Sequence, residues 1–343
     1  MSQLRRRSLG EQFGYVPGEQ PPDGEGWIKL NTNESPLPPS PHVAAAIGGA
    51  AHELNRYPDP HGEPLRSALA AHHGVDPSSV AVGNGADGLI DSCIRAFCEP
   101  GARLVVTDPT YSLLPVAARI HGATPHPVAL PPGGEVPDEF AAIDAPLRFI
   151  VNPNTPTGTW VDPAELESRL RDATGVVVID EAYCDFAPRS CIPLLADHPT
   201  WLVLRTFSKA YALAGLRVGY AVGAADLIDD LNAVAESYPV DRCAIAGARA
   251  ALDDVVHHRA LVDAVVDERH RLTAALNELG WQLTPSHANF VAGRPVGETA
   301  AAVAQRLRQR RVLVRCLGTA QTAILRITVG SVAENDALLA ALR

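Results

Sequence analysis

Of the 29 lysines and arginines in this 343-residue sequence, only Lys29 and Lys209 are lysine, so only two side chains can supply an amine nucleophile. Lys209 sits in Thr206-Phe207-Ser208-Lys209, directly after the apolar run Leu202–Arg205. A lysine there could form a Schiff base with an aldehyde. That requires a neutral amine near pH 7, which burial and neighbouring cations favour by depressing its pKa. The next stretch, residues 210–223 (AYALAGLRVGYAVG), carries Arg217 as its one charge and makes a poor solvent face. Arg217 and Ser208 together could grip a phosphate. The plain alternative is a solvated surface lysine. A second apolar run, Val176–Ile179, ends in Asp180-Glu181-Ala182-Tyr183. An acid at the end of a buried strand is costly unless paired. A protonated pyridine nitrogen is a suitable partner, because the carboxylate keeps the ring protonated and electron-withdrawing. A structural Asp capping the next turn is the alternative.

Two further strand ends carry loops of interest. Gly83-Asn84-Gly85-Ala86-Asp87-Gly88 runs from a strand into a helix and is formally G-x-G-x-x-G, with Asp108 downstream where a ribose hydroxyl would want an acid. The physical content of that motif is less specific. Glycines let the backbone approach a phosphate at a helix N-terminus, where free N–H groups favour an anion, and a tight turn without ligand has the same signature. Asn152-Pro153-Asn154-Thr155-Pro156-Thr157-Gly158 comes directly after the run ending at Val151, and its amides and hydroxyls could bond a ring hydroxyl.

These loops need a sheet to hold them. Short apolar runs at Val80–Val82, Leu104–Thr107, Arg148–Val151, Val176–Ile179, Leu202–Arg205 and Val218–Val222 alternate with helical patterns at Leu89–Phe97, Leu113–Ile120 and Pro163–Arg171. Runs apolar throughout and separated by helices imply an α/β fold with a mostly parallel sheet covered on both faces. Ligands of such sheets bind at the strand C-termini. Residues 1–41 are rich in Pro and Gly and read as an arm; Val43–Leu54 and residues 63–73 read as helices. Later, Asp226–Ser237 and Arg242–Leu279 read as long helices. Ala288–Val291, Ala300–Arg310, Val312–Arg315 and Leu325–Val329 then read as strand, helix, strand and strand of a smaller α+β unit. The expected division is an arm (1–45) belonging with the small domain, a large domain (46–236) and a small C-terminal domain (237–343).

The formal net charge of −10 excludes a general basic field for nucleic acid or an anionic membrane. An anionic substrate would need a few placed arginines. The six cysteines form no C-x-x-C pair or zinc spacing and read as thiols in a reducing, cytoplasmic compartment. Arg5-Arg6-Arg7 has no apolar segment after it, so no secretory signal is expected, and no run approaches the ~18 apolar residues of a membrane span.

In order and spacing, GYVPG (14–18), KLNTNESPLPPSP (29–41), RYPDP (56–60), GNGAD (83–87), DPTY (108–111), NPNTPTG (152–158), VVIDEAYCDF (177–186), RTFSKAYALAGLRVGY (205–220), ANF (288–290), VLVRCLG (312–318) and LRITVGS (325–331) resemble the fold-type I pyridoxal-5′-phosphate (PLP) enzymes of the aspartate-aminotransferase superfamily. Within it they are most similar to the histidinol-phosphate aminotransferase family. The resemblance implies a large PLP domain, a smaller α+β domain and a homodimer. It implies that Lys209 holds PLP as a Schiff base and shuttles a proton, that Asp180 pairs with the pyridinium nitrogen, and that Tyr183 bonds the ring hydroxyl and Tyr111 stacks on the ring. The Ala86 and Asp87 backbone N–H groups, Ser208 and Arg217 would hold the cofactor phosphate, with Tyr57 reaching it from the other subunit. Arg326 would clamp a carboxylate; Tyr15 and Arg315 would meet the phosphate-bearing end of the substrate, and Asn33 would border the substrate. Where the family usually has Asn before Pro-Thr-Gly, this chain has Thr155, with Asn154 one place earlier, so either could meet the ring hydroxyl. Gly88 replaces a usual Glu, and Asn-Glu-Ser-Pro a commoner Asn-Glu-Asn-Pro.

The implied activity is transfer of an amino group from an amino donor, L-histidinol phosphate favoured, to 2-oxoglutarate. A related PLP enzyme with another reaction, such as a phosphoamino-acid decarboxylase or a specialised-metabolism enzyme, starts from the same residues. An NAD(P)-dependent oxidoreductase would use the glycine motif and Asp108 but leaves Asp180 and Lys209 without a task. A PLP-binding regulator would need a DNA-binding helical domain, for which the Pro-rich arm is unsuited.

Overall fold

The structure, a computed structural model, describes residues 14–22, 25–319 and 322–343. Its strands are β1 (Ile28–Leu30), β2 (Val80–Asn84), β3 (Arg103–Asp108), β4 (Thr124–Ala129), β5 (Leu147–Val151), β6 (Val176–Asp180), β7 (Trp201–Thr206), β8 (Val218–Gly223), β9 (Gln282–Thr284), β10 (Phe290–Arg294), β11 (Val312–Leu317) and β12 (Ile324–Thr328). Seven form one sheet in the order β2-β8-β7-β6-β5-β3-β4. All neighbours from β7 to β4 are parallel, and β8 runs antiparallel to both β2 and β7.

Alternation along each central strand feeds two cores. Val177, Ile179 and Val203 pack on one face of the sheet; Val176, Val178, Leu202 and Leu204 pack on the other. Both faces are covered, which is why these strands are apolar at every position. All six expected sheet strands form, each extended by one or two residues. β4 is additional. Its sequence, TPHPVA, carries Pro125 and Pro127 and is not among the expected strands. β4 is an edge strand, and Thr124 and Leu130 donate to Ala102 and Asp108 carbonyls beside it. Pro125 and Pro127 have the opposite parity, facing away from β3, where a missing N–H costs nothing.

The second sheet has the order β1-β11-β12-β10-β9. The arm contributes β1, paired parallel with β11 through Ile28↔Val312 and Leu30↔Val314. Arg242–Leu279 is not one helix. It breaks at Asp254 (φ −91, ψ 68), whose side chain accepts from the His257 backbone N–H and caps a second helix, Val255–Glu278. The first piece, Arg242–Asp253, buries Ala244, Ile245, Ala248, Ala251 and Leu252 in the large-sheet core. Through this apolar face the helix packs with the seven-stranded sheet. Among the described residues no helix is long and apolar enough to cross a membrane.

Candidate active site

The carboxyl ends of the parallel strands open into a cleft walled on the far side by the arm and by β11 and β12. Asp180 is the last residue of β6, and Lys209 lies three residues beyond the end of β7. The turn carrying Lys209 is tight: Ser208 N–H bonds the Thr206 hydroxyl at 3.1 Å, and Leu213 N–H returns to the Phe207 carbonyl at 3.0 Å. It holds the Lys209 amine in the cleft, 3.4 Å from the Thr32 carbonyl of the arm. Burial depresses that amine to about 8, helped by Arg326 and Arg217 and opposed by Glu34 and Asp87.

Burial also pushes the Asp180 carboxyl up to about 7, against a backbone bond from Ala182 N–H (3.0 Å) and the pull of Lys209. Tyr183 stands on the turn after Asp180. Its hydroxyl accepts from Asn33 Nδ2 at 2.9 Å, and burial raises its pKa despite the nearby Arg326.

An anion cradle occupies one end. Helix Gly85–Phe97 starts at the end of β2, and its N-cap Asn84 contributes no side-chain bond, so the first-turn N–H groups at Ala86 and Asp87 point outward unclaimed by a cap. Arg217 (φ 54) donates to Ser208 Oγ at 3.3 Å and to Asp87 Oδ2 at 3.0 Å. Two glycines make this approach possible. A Cβ on Gly85 would lie 2.7 Å from Arg217 Nη2, and one on Gly219 would lie 2.5 Å from Ala86 N. Tyr111, its hydroxyl 3.1 Å from Asp87 Oδ1, meets the Tyr15 ring edge-on at 6.1 Å between centroids.

The opposite end is set by two arginines. Arg326 on β12 donates to Thr155 Oγ1 and the Asn31 carbonyl, each at 3.1 Å, while its buried Nε finds no partner among the described residues. Arg315 on β11 donates to the Val16 and Pro17 carbonyls (2.6 and 3.0 Å), tying the arm over the cleft. The charged lining comprises Lys209, Arg217, Arg315 and Arg326 against Asp87 and Asp180. A chain of net charge −10 thus concentrates cations in one concave place, which focuses the field on anionic ligands.

Thirteen of the fifteen expected site residues line this cleft: Tyr15, Asn33, Ala86, Asp87, Tyr111, Thr155, Asp180, Tyr183, Ser208, Lys209, Arg217, Arg315 and Arg326. Asn154 does not. Its amide is turned away onto the Pro109 carbonyl of the loop after β3 (3.2 Å) and Thr157 Oγ1 of its own loop (2.9 Å), so Thr155 is the residue that faces the cleft. Tyr57 is 76% exposed, stacked on Tyr238 at 4.3 Å, and does not line the cleft of its own chain. Asp108, the acid of the dinucleotide reading, is exposed and outside the cleft. Reading by motif missed Asn31, Thr32 and Thr206 as lining residues. The signal for the first two was the apolar-polar-apolar alternation Ile28-Lys29-Leu30, which becomes β1 just ahead of them.

The family profile described as aminotransferase class I and II matches residues 25–342. The chain belongs to this family. Relatives of this aminotransferase include histidinol-phosphate aminotransferase 2 of Thiobacillus denitrificans, 44% identical over 98% of this chain and 96% of the relative. Histidinol-phosphate aminotransferase 1 of Pseudomonas aeruginosa is 42% identical over 96% and 95%. Among solved structures, the histidinol-phosphate aminotransferase of Sinorhizobium meliloti in complex with pyridoxal-5′-phosphate superposes with a TM-score of 0.86 at 32% identity, covering 92% of this chain and 89% of that one. A double mutant of Thermus thermophilus aspartate aminotransferase shares the fold, with a TM-score of 0.81 at 24% identity over 92% and 90%. The aspartate-aminotransferase-like fold and the aminotransferase activity expected from the motifs are therefore borne out, and the oxidoreductase and regulator readings fall away.

Proposed function

We propose that this aminotransferase uses PLP bound through Lys209 to move an amino group from L-histidinol phosphate to 2-oxoglutarate. The observation that carries the reading is the facing pair at the cleft floor. Lys209 is an amine held near neutrality, and Asp180 is a buried carboxyl whose side chain, among the described residues, accepts from Ala182 N–H alone. A buried acid with no cationic partner in bonding contact suits a protonated ring nitrogen. The cradle of Ala86, Asp87, Ser208 and Arg217 suits the cofactor phosphate, and Tyr183 and Thr155 suit the ring hydroxyl. When bound, the cofactor supplies an aldehyde that takes up amines and a cationic ring that withdraws electrons from Cα.

The chain's own groups divide the remaining work. Lys209, free as an amine above about pH 8, removes the donor's Cα proton. Asp180 stays ionised opposite a cation, and Tyr183 keeps its proton because burial raises its pKa. Arg326, whose Nε has no partner among the described residues, offers a fork to a carboxylate of 2-oxoglutarate. Arg315 and Tyr15, farther toward the mouth, meet the phosphate of the donor. The arm tied by Arg315 excludes water over the bound substrate. The exposed Tyr57–Tyr238 stack supports a homodimer in which Tyr57 serves the partner's cleft. Six free thiols, with Cys93, Cys98, Cys184 and Cys191 buried, support a reducing, cytoplasmic setting. The large domain, from 46 to the end of the Arg242–Asp253 helix, serves the cofactor; the arm and the β9–β12 sheet serve the substrate.

A half-reaction tests this. Mixing the loaded enzyme with L-histidinol phosphate should convert the visible band of the bound cofactor to the amine form, and 2-oxoglutarate should restore it. Conversion by another amino acid but none by histidinol phosphate would overturn the substrate assignment.

A further inference from the structure

Beneath the cleft, the turn that carries Asp180 and Tyr183 rests on buried charges that line no part of the cleft. Glu181 is 1% exposed. Its carboxylate accepts from Ser190 Oγ and the Cys191 backbone N–H, each at 2.6 Å, and from Arg205 Nη1 at 3.2 Å. The other terminal nitrogen of Arg205 reaches Asp185 Oδ1 at 2.9 Å. One guanidinium fork therefore spans both ends of the turn 181–185. Asp185 also faces His258 Nε2 at 3.3 Å, from the first turn of helix Val255–Glu278. The His258 ring stacks on Tyr211 at 4.2 Å, two residues after Lys209. The cluster thus joins the Asp180 turn, the Lys209 turn and the long helix.

Buried ion clusters are weak sources of net stability, because desolvating the charges cancels most of their attraction. What they do supply is a fixed geometry. Backbone bonds tie only the start of the turn to the sheet, through Glu181 N–H to the Leu204 carbonyl of β7; those from Cys184 N–H to the Glu181 carbonyl and from Phe186 N–H to the Tyr183 carbonyl stay within the turn. Tyr183 is otherwise anchored at its far tip, by Asn33.

We propose that Arg205 is a positioning residue for the reaction: by forking between Glu181 and Asp185 it fixes the turn that sets the Asp180 carboxylate and the Tyr183 hydroxyl against Lys209. The proposal rests on the PLP reading above. A lysine cannot replace the fork, because a single ammonium on a flexible stem does not hold two carboxylates in one plane.

The test uses full-length Arg205→Lys and Asp185→Asn, loaded with PLP for kinetics and for pH titration of the visible band, and stripped for amide hydrogen exchange. In Arg205→Lys, kcat should fall about 10- to 100-fold, the scale of a misplacement near 1 Å. KM should move less than about threefold. The titration midpoint of the band should shift, and amides 181–187 should exchange faster than those of helix Val255–Glu278. Asp185→Asn should move every readout in the same direction by less, and it carries the test if Arg205→Lys does not fold. Wild-type kcat, titration and exchange in a folded variant would overturn the proposal. So would a lowered melting temperature with the band titration unmoved, which is the signature of a stabilising role alone. A wild-type protein with no visible band would refute the PLP reading instead, and the exchange comparison would still decide whether Arg205 holds the turn.

Discussion

Asp180→Asn should act in opposite directions on the stripped and the loaded protein. Burial pushes the Asp180 carboxyl from 3.8 up to about 7. At 1.36 kcal/mol for each tenfold change in proton affinity, that gap is worth roughly 4 kcal/mol. Linkage gives the sign. A carboxyl whose folded pKa is raised favours the fold fully below its unfolded value and loses that contribution as pH climbs through the folded value. Asparagine never ionises. In the stripped protein its advantage over aspartate should therefore be near zero below about pH 4, grow between pH 4 and 7, and level at roughly 4 kcal/mol above that. In the loaded protein a ring cation facing the carboxylate offsets the burial penalty, so the advantage should shrink or reverse. Turnover should fall at least about a hundredfold, the scale of losing one preorganised charge contact. Thermal melting of both proteins from pH 4 to 9, with and without PLP, measures the difference. Parallel pH curves for the two stripped proteins, or the same gain with cofactor bound, would refute the reasoning.

Lys209 is depressed to about 8, so cofactor capture by stripped protein should accelerate with pH up to about 8 and then level off; a midpoint near the usual lysine value would show that burial and the arginines do not act as described. Thr155→Val removes the acceptor of the Arg326 bond and should raise KM for 2-oxoglutarate severalfold. Asn154→Ala, whose amide bonds the Pro109 carbonyl and Thr157 outside the cleft, should leave KM within about twofold while lowering stability by about 1 kcal/mol; steady-state kinetics and melting on the pair separate them. Arg315→Ala removes both the cation proposed to meet the donor phosphate and the tie to the Val16 and Pro17 carbonyls, so KM for the phosphorylated donor should rise about tenfold or more with kcat little changed. An unchanged KM would mean that the natural donor carries no phosphate.

Much of the site was legible because buried parallel strands announce themselves as apolar runs, and the residues after each run land at one edge of the sheet. Asp180, Lys209 and the Gly85 turn are all placed by that single rule. Where it failed, local signals conflicted with tertiary placement. Pro125 and Pro127 argue against a strand everywhere except at an edge with their parity outward. Asp253-Asp254 ahead of an apolar pair was a readable cap signal inside what looked like one long helix, and it marks the true break. Asn154 and Thr155 differ by one position in an irregular loop, and no period tells which side chain turns inward. The Arg205 cluster joins positions 181, 185, 205 and 258, and contacts across such separations leave no local pattern to read.

The central claim is that one amine, Lys209, carries the cofactor. Reducing the loaded enzyme with borohydride, digesting it and mapping the modified peptide by mass spectrometry tests it directly, since Lys29 is the only other lysine available. The pyridoxyl mass should appear on the peptide containing Lys209 and be absent from that containing Lys29. Label on Lys29, or no label on a protein that still transfers amino groups, would contradict the account.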